Sequence, residues 1–167
     1  MITTYLFFGF ALLAILGALG LIIFRHPMNG AMSFVVTLIS LAGLYALLSA
    51  KLIFAIQLIV YAGAIMSLIL FIIMFLNIQE KDLPPDSNRW FYLAGGIVVV
   101  APIAALLINI SKSLPQDFGS LPDGFGDVKE VGLLLFRDWL LPFEIVSILL
   151  LVALVGAVVL AGKREVN

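Results

Sequence analysis

"QLIVYAGAIMSLILFIIMF", residues 57–75, runs for nineteen positions without a charge, and its reading decides the fold class. Crossing about 30 Å of hydrocarbon at about 1.5 Å of rise per residue takes about 20 predominantly apolar residues. The stretch has that length, yet it carries Gln57, Tyr61, Gly63 and Ser67 in its N-terminal half. Working outward, four further apolar stretches of similar length give five spans at approximately 5–24, 31–49, 52–76, 90–110 and 140–161. The fold expected is an all-α integral membrane protein, one transmembrane domain over 1–167 with five transmembrane helices.

The composition agrees. Of 167 residues 63% are hydrophobic and 11% charged, with a mean hydropathy of +1.23, whereas soluble domains are about 25% charged. A net charge of −1, with nine scattered Lys and Arg, gives no surface for nucleic acid. With no Cys and one His, the chain has no means of building a disulfide frame, an iron–sulfur site or a multi-His metal site by itself. Residues 1–24 lack Lys and Arg, so the first segment reads as a retained membrane helix, not a signal peptide.

The second and third spans are so close that they must form a tight antiparallel hairpin, with Lys51 at the water interface and a turn drawing residues from both sides. The long connection over 111–139 opens with "SKSLPQDFGSLPDGFGD", rich in turn-forming Pro and Gly. It continues as "DVKEVGLLLFRDW", where Asp127 and Glu130 have the N-cap and N3 spacing of a capping box, followed by apolar Val131, Leu134 and Leu135. This predicts a short interfacial helix before the fifth span, with Phe136 and Trp139 in the aromatic belt. An irregular loop packed on a partner is the competing reading.

No Ser–His–acid set, phosphate-binding Gly loop or spaced ligand cluster is present, and His26 sits beside Pro27 where a solvated loop residue is expected. Glu144 is the one acid within a proposed span, and such groups are functional candidates by default. It lies only about 6 Å into its helix, which favours an anchoring or capping role near the interface over proton carriage. Ser33, Thr37 and Ser40 form one hydroxyl stripe, read as bonding back to their own helix or to a neighbouring one before any wet path. Ala153, Ala157 and Ala161 form a small-residue ridge suited to assembly. On the third helix Gln57 and Tyr61, four apart, share a face, and Gly63 and Ser67 make a small-xxx-small pair; spacing alone favours packing for both.

The third-span segment "QLIVYAGAIMSLILFIIMFLN", with "RHPMNGAMSFVV" after the first span and "GLLLFRDWLLPFEIVSILLLVALVGAVVLA" at the end, resembles the J subunits of NADH–quinone oxidoreductase, relatives of mitochondrial NADH dehydrogenase subunit 6. The likeness covers nearly the whole chain. It implies a non-catalytic membrane-arm subunit of respiratory complex I, which couples electron transfer from NADH to quinone with proton pumping. No cofactor is expected in this chain and no contact with NADH. Flavin, iron–sulfur clusters and quinone would belong to partner subunits, and the neighbours would be other membrane-arm subunits and the lipid bilayer. The resemblance further implies a π-bulge at Tyr61, Ala62, Gly63 and Ala64, in a helix that switches between π and α forms. Gln57 and Ser67 join these four as gating or coupling candidates, and Glu144 is an interfacial or subunit-contact acid. The alternative is a subunit of a related cation/proton antiporter or membrane-bound hydrogenase.

Five spans put the termini on opposite sides. Arg25, Lys81, Arg89, Lys163 and Arg164 would share the C-terminal side, and Lys51, Lys112, Lys129 and Arg137 the other. The Lys163–Arg164 pair directly after the last span favours a cytoplasmic C-terminus in a bacterial inner membrane. A cysteine introduced at Asn167 is therefore expected to be shielded from an impermeant thiol reagent applied outside, and labelling from outside would reverse the orientation.

Overall fold

The first two helices, Ile2–Ile23 and Pro27–Leu47, lie together through residues with almost no side chain. Ala14, Gly17 and Gly20 are the buried positions of the first helix. A β-carbon at Gly17 would stand 2.5 Å from Thr37 Oγ1 and 2.9 Å from the Ser33 carbonyl oxygen, and one at Gly20 would collide with the Ser33 hydroxyl. Association in hydrocarbon relies on close packing because lipid tails are as apolar as leucine, so small residues carry the contact. On the same pair Phe10 lies over Gly43, where a β-carbon would come within 2.7 Å of the ring.

This computed structural model describes residues 2–76, 89–113 and 124–162, and among them the regular structure is all helical. Four helices have the length and apolarity to cross a membrane: Ile2–Ile23, Pro27–Leu47, Lys51–Leu76 and Leu140–Ala161. A further helix, Arg89–Ser113, contains the shorter apolar stretch Val100–Ile110. The connection 77–88, the stretch 114–123, and Lys163, Arg164 and Asn167, used above for orientation, lie outside the described residues.

The second helix begins earlier than its hydropathy implies because Pro27 takes the first helical position, where its missing N–H costs nothing. The residue before it, His26, is exposed and extended at φ −73°, ψ 121°. The helix ends at Leu47 in a Schellman-type cap: Ser49 adopts φ +60°, its N–H donates to the Ala46 carbonyl at 3.2 Å, and the Ala50 N–H donates to the Tyr45 carbonyl at 3.0 Å. The next helix starts at once with Lys51. The turn therefore takes its residues from the end of the second span alone and not from both sides, since this cap closes the helix within three residues.

Among the described residues, a buried cluster joins the second and third helices. Ala31, Leu38 and Met66 form its centre, with Phe34, Val35, Ala62, Leu70 and Ile73 packed around them. Below it, the loop at Gly124–Asp127 docks on the hairpin turn and leads into an amphipathic helix, Val128–Arg137. The interfacial helix is thus present, but the capping box is not formed. Asp127 occupies the N-cap with extended backbone and makes no side-chain cap bond. Its carboxylate reaches Lys51 Nζ at 2.8 Å instead. An ion pair with a full positive charge outcompetes a backbone donor that water also satisfies.

The ring of Phe136 meets that of Phe143 edge-on at 4.8 Å, tying the amphipathic helix to the last one. The last helix, Leu140–Ala161, buries no residue, and Ala153, Ala157 and Ala161 are all exposed.

The close approach of the first two helices predicts an asymmetry between their glycines. Gly20→Val, which drives a branched side chain into Ser33, is expected to cost about 1–3 kcal/mol and to lower the thermal unfolding midpoint in detergent. Gly9→Val, where nothing lies within 4 Å of the added β-carbon, should leave the midpoint unchanged.

Candidate functional site: a π segment in the third helix

The helix over Lys51–Leu76 is continuous but not uniform. It starts as α-helix at Lys51–Ile56, widens to π-helix over Gln57–Ile65, and returns to α-helix at Met66–Leu76. At the exit the Met66 N–H donates to the carbonyl of Tyr61, five residues back instead of four. The π segment includes Tyr61, Ala62, Gly63 and Ala64 and extends four residues upstream to Gln57, longer than the one-turn bulge usual inside α-helices.

Its consequence is visible in which side chains face the second helix. Gln57 is buried at 8% exposure, and the inward positions after it are Ala62, Met66, Leu70 and Ile73. The first step, across the π segment, is five residues; the later ones are four, four and three, as in an α-helix. Tyr61, four residues after Gln57, is consequently not on its face: it is 48% exposed. The shared face expected from i, i+4 spacing assumed α geometry, and the wider π turn removes it.

Gly63 is exposed, and a β-carbon there would lie 3.1 Å from the Leu58 carbonyl oxygen, five residues earlier. That distance is tighter than ordinary packing, so the absence of a side chain eases this turn. Ser67 and Ala64 are exposed as well, so no other described part of the chain uses the Gly63–Ser67 pair for packing. Met66 lies just beyond the π exit and, at 2% exposure, is the largest fully buried side chain described.

Around this helix the polar groups are accounted for locally. Thr37 Oγ1 donates to the Ser33 carbonyl at 3.2 Å and Ser40 Oγ to the Val36 carbonyl at 2.8 Å. Two hydroxyls of the stripe, Thr37 and Ser40, therefore bond back onto their own helix, with Ser33 and Thr37 facing the glycines of the first. Glu144 is exposed near the start of the last helix, where its backbone carbonyl accepts the Ser147 hydroxyl at 2.7 Å. The structure does not bring Glu144 into contact with the π segment.

At the head of the helix the Leu52 N–H donates to the Gly126 carbonyl at 3.1 Å beside the Lys51–Asp127 pair. Gly126 has φ +75°, and a β-carbon on it would collide with the Ser49 carbonyl. An apolar cleft of about 380 Å³ opens next to this contact, lined by Ala50, Ile53, Phe125, Val131, Leu134 and Glu130. This junction escapes the sequence reading, in which "DGFGD" signals a turn and Lys51 an interface. Neither signal says that the two meet.

Residues 17–160 match the family described as NADH-ubiquinone/plastoquinone oxidoreductase chain 6. The chain belongs to that family. As a member it is a multi-pass membrane subunit of a multisubunit NAD(P)H-quinone oxidoreductase. Similar proteins include the organellar chromatophore NAD(P)H-quinone oxidoreductase subunit 6 of Paulinella chromatophora, 38% identical over 163 residues, covering 96% of this chain and 78% of the relative. The NAD(P)H-quinone oxidoreductase chain 6 of Leptolyngbya boryana is 39% identical over 160 residues, covering 94% and 79%. The chloroplastic subunit 6 of Chlorokybus atmophyticus is 32% identical over 175 residues, covering 92% and 80%.

Because Met66 fills the cluster immediately after the π exit, its loss should be felt. Met66→Ala is expected to cost about 2–5 kcal/mol, seen as a lower unfolding midpoint of the subunit. Met74→Ala, at a position 63% exposed, should have little effect on that measurement.

Proposed function

We propose that this subunit contributes to proton translocation by switching its third helix between a π and an α form. The observation that carries the reading is the five-residue step from Gln57 to Ala62 across the π segment. A π turn holds an extra residue and leaves a carbonyl without its usual partner, which in hydrocarbon costs several kcal/mol unless a side chain or water satisfies it. Half-exposed Tyr61 can orient such water.

Conversion to α-helix removes the extra residue and rotates everything beyond it by about 100° relative to the first turn. Tyr61, Ile65, Ile69 and Ile72 then take the places of Ala62, Met66, Leu70 and Ile73 against the second helix. Outside, Ser67 and the apolar neighbours of Met66 change their partners. In the π form a hydrated connection runs between acidic residues of adjacent membrane-arm subunits; in the α form alkyl side chains interrupt it.

The residues Gln57, Tyr61, Ala62, Gly63, Ala64 and Ser67 carry the gate in this reading. The titrating carboxylates belong to neighbours, consistent with the absence of Asp and Glu from Lys51–Leu76. Glu144, at the mouth of the last helix, makes an interfacial or subunit contact. Electrons travel through flavin, iron–sulfur clusters and quinone in partner subunits, while this chain contacts the bilayer and its membrane-arm neighbours and not NADH. The C-terminus faces the cytoplasm.

In the assembled complex, reconstituted in liposomes, Gly63→Leu is expected to abolish NADH-driven proton uptake. The added side chain crowds the Leu58 carbonyl in the π form, and a glycine in an α-helix is less favourable than other residues by up to about 1 kcal/mol. Unchanged proton uptake would rule out the gate. The tagged chain, purified in mild detergent, should bring flavin and NADH–ferricyanide activity with it; recovery without redox centres would remove it from an NADH-driven assembly.

A further inference from the structure

Two spans, Lys51–Leu76 and Leu140–Ala161, begin beside the amphipathic helix Val128–Arg137. The Leu52–Gly126 hydrogen bond ties the loop before that helix to the first of them, and the Phe136–Phe143 ring contact ties its end to the second. The cleft of about 380 Å³ enclosed by this loop, the amphipathic helix and the head of the third span therefore lies where headgroups give way to acyl chains. Ile53, in its wall, is only about 3 Å along the helix axis from Lys51.

Ala50, Ile53, Phe125, Val131 and Leu134 make the walls, and Glu130 is the one charged residue in the lining. The volume falls within the about 300–1,000 Å³ of small-molecule sites. Water in so apolar a cleft finds too few partners, and an unfilled gap forfeits contacts for every group that lines it. An apolar chain is the occupant that fits. Gly126 sits so closely on Ser49 that a β-carbon would collide, which fixes loop against helix and forms the cleft before anything enters it.

Filling alone does not select a ligand, because a lipid tail gains little by exchanging other tails for equally apolar walls. The choice falls to the charges at the rim. Glu130 lies in the first turn of its helix, its Cγ standing 3.3 Å from where a β-carbon of Gly124 would be, so the bare glycine leaves its side chain room over the loop. Among the described residues no cation pairs with its carboxylate. Lys51 and Asp127, which follow the lining residues Ala50 and Gly126, form an ion pair at 2.8 Å in which the lysine side chain stays 71% exposed. An ammonium has three donors, so Lys51 keeps donors for a further anion. The rim thus offers an acceptor to a cation and a donor to an anion.

A phospholipid with a primary ammonium headgroup carries both charges on the same molecule as an acyl chain. Choline has no N–H to give Glu130, a glycerol headgroup has no cation, and a quinone has only acceptors. We infer that the cleft binds one phosphatidylethanolamine, its acyl chain between Ile53, Phe125 and Val131, its ammonium on the Glu130 carboxylate and its phosphate on Lys51 Nζ. The site is separate from the π segment and stands whether or not that segment switches.

The test uses the assembled complex in nanodiscs doped with phosphatidylethanolamine, phosphatidylcholine or phosphatidylglycerol, each bearing a diazirine on one acyl chain. After illumination, adducts are mapped by peptide mass spectrometry. Adducts on residues 50–53 and 125–134 are expected to be about tenfold more abundant with the ethanolamine lipid than with the other two, the ratio that one charge-assisted hydrogen bond supplies. Glu130→Gln should level the three lipids. Val131→Trp, which fills the cleft from one wall, and Ile53→Trp, which fills it from the other, should remove these adducts while those on the rest of the complex stay unchanged; subunit content checks that each variant assembles. Equal labelling of the native complex by all three lipids would overturn the headgroup assignment, and labelling unaffected by either tryptophan would overturn the cleft as the site. Displacement by decylubiquinone but not by unlabelled phosphatidylethanolamine would give the cleft to a quinone instead. No adduct there with any lipid would mean that another subunit covers it, and the inference falls.

Discussion

Every backbone N–H buried in a membrane needs an acceptor, and in the third helix the nearest carbonyl is taken five residues back instead of four. That single change of partner determines the rest of the arrangement. It shifts the inward face by one residue, puts Ala62 rather than Tyr61 against the second helix, and sets Met66 at the centre of the cluster with Ala31 and Leu38. A helix without it would bury a phenol where a methyl group now sits. The π segment is thus a structural choice about which side chains face protein.

The surroundings hold the helices by contacts of two kinds, directional and apolar. Glycines in the first helix let two backbones approach closely, giving the second helix a firm backing. A left-handed cap at Ser49, a glycine that alone fits at position 126 and an exposed ion pair then fasten the head of the third helix to a loop far along the chain. The ion pair by itself is worth at most about 1 kcal/mol at such exposure. It is the shape of the glycine contact and the satisfied Leu52 donor that make the junction specific. Past the π segment the contacts described with the second helix are apolar, through Met66, Leu70 and Ile73.

Much of this was legible in the residues. Five apolar stretches announce a membrane protein and Asp127 with Glu130 a helix start, while the irregular turn at Tyr61–Ala64 follows from the resemblance alone. Other features were not. The Asp127 side chain was read as a cap because local spacing describes only local partners; Lys51 is 76 positions away in the sequence. Gln57 and Tyr61 were placed on one face because i, i+4 spacing presupposes the helical form that this segment does not take. Gly17 and Gly20 carried no visible purpose, since a glycine shows its use only when the neighbouring backbone arrives.

Composition and span length by themselves determined that the chain is a helical membrane protein, because hydrocarbon imposes a length and an internal hydrogen-bonding rule on any segment that crosses it. Resemblance in "VYAGAI" and the closing segment pointed to the family and to the irregular turn. Only the tertiary structure decided how far that turn extends, which side chains it turns inward, and what grips the helix at its head. Those depend on contacts between residues distant in sequence and on which carbonyl each backbone N–H takes, and no residue spacing encodes that choice.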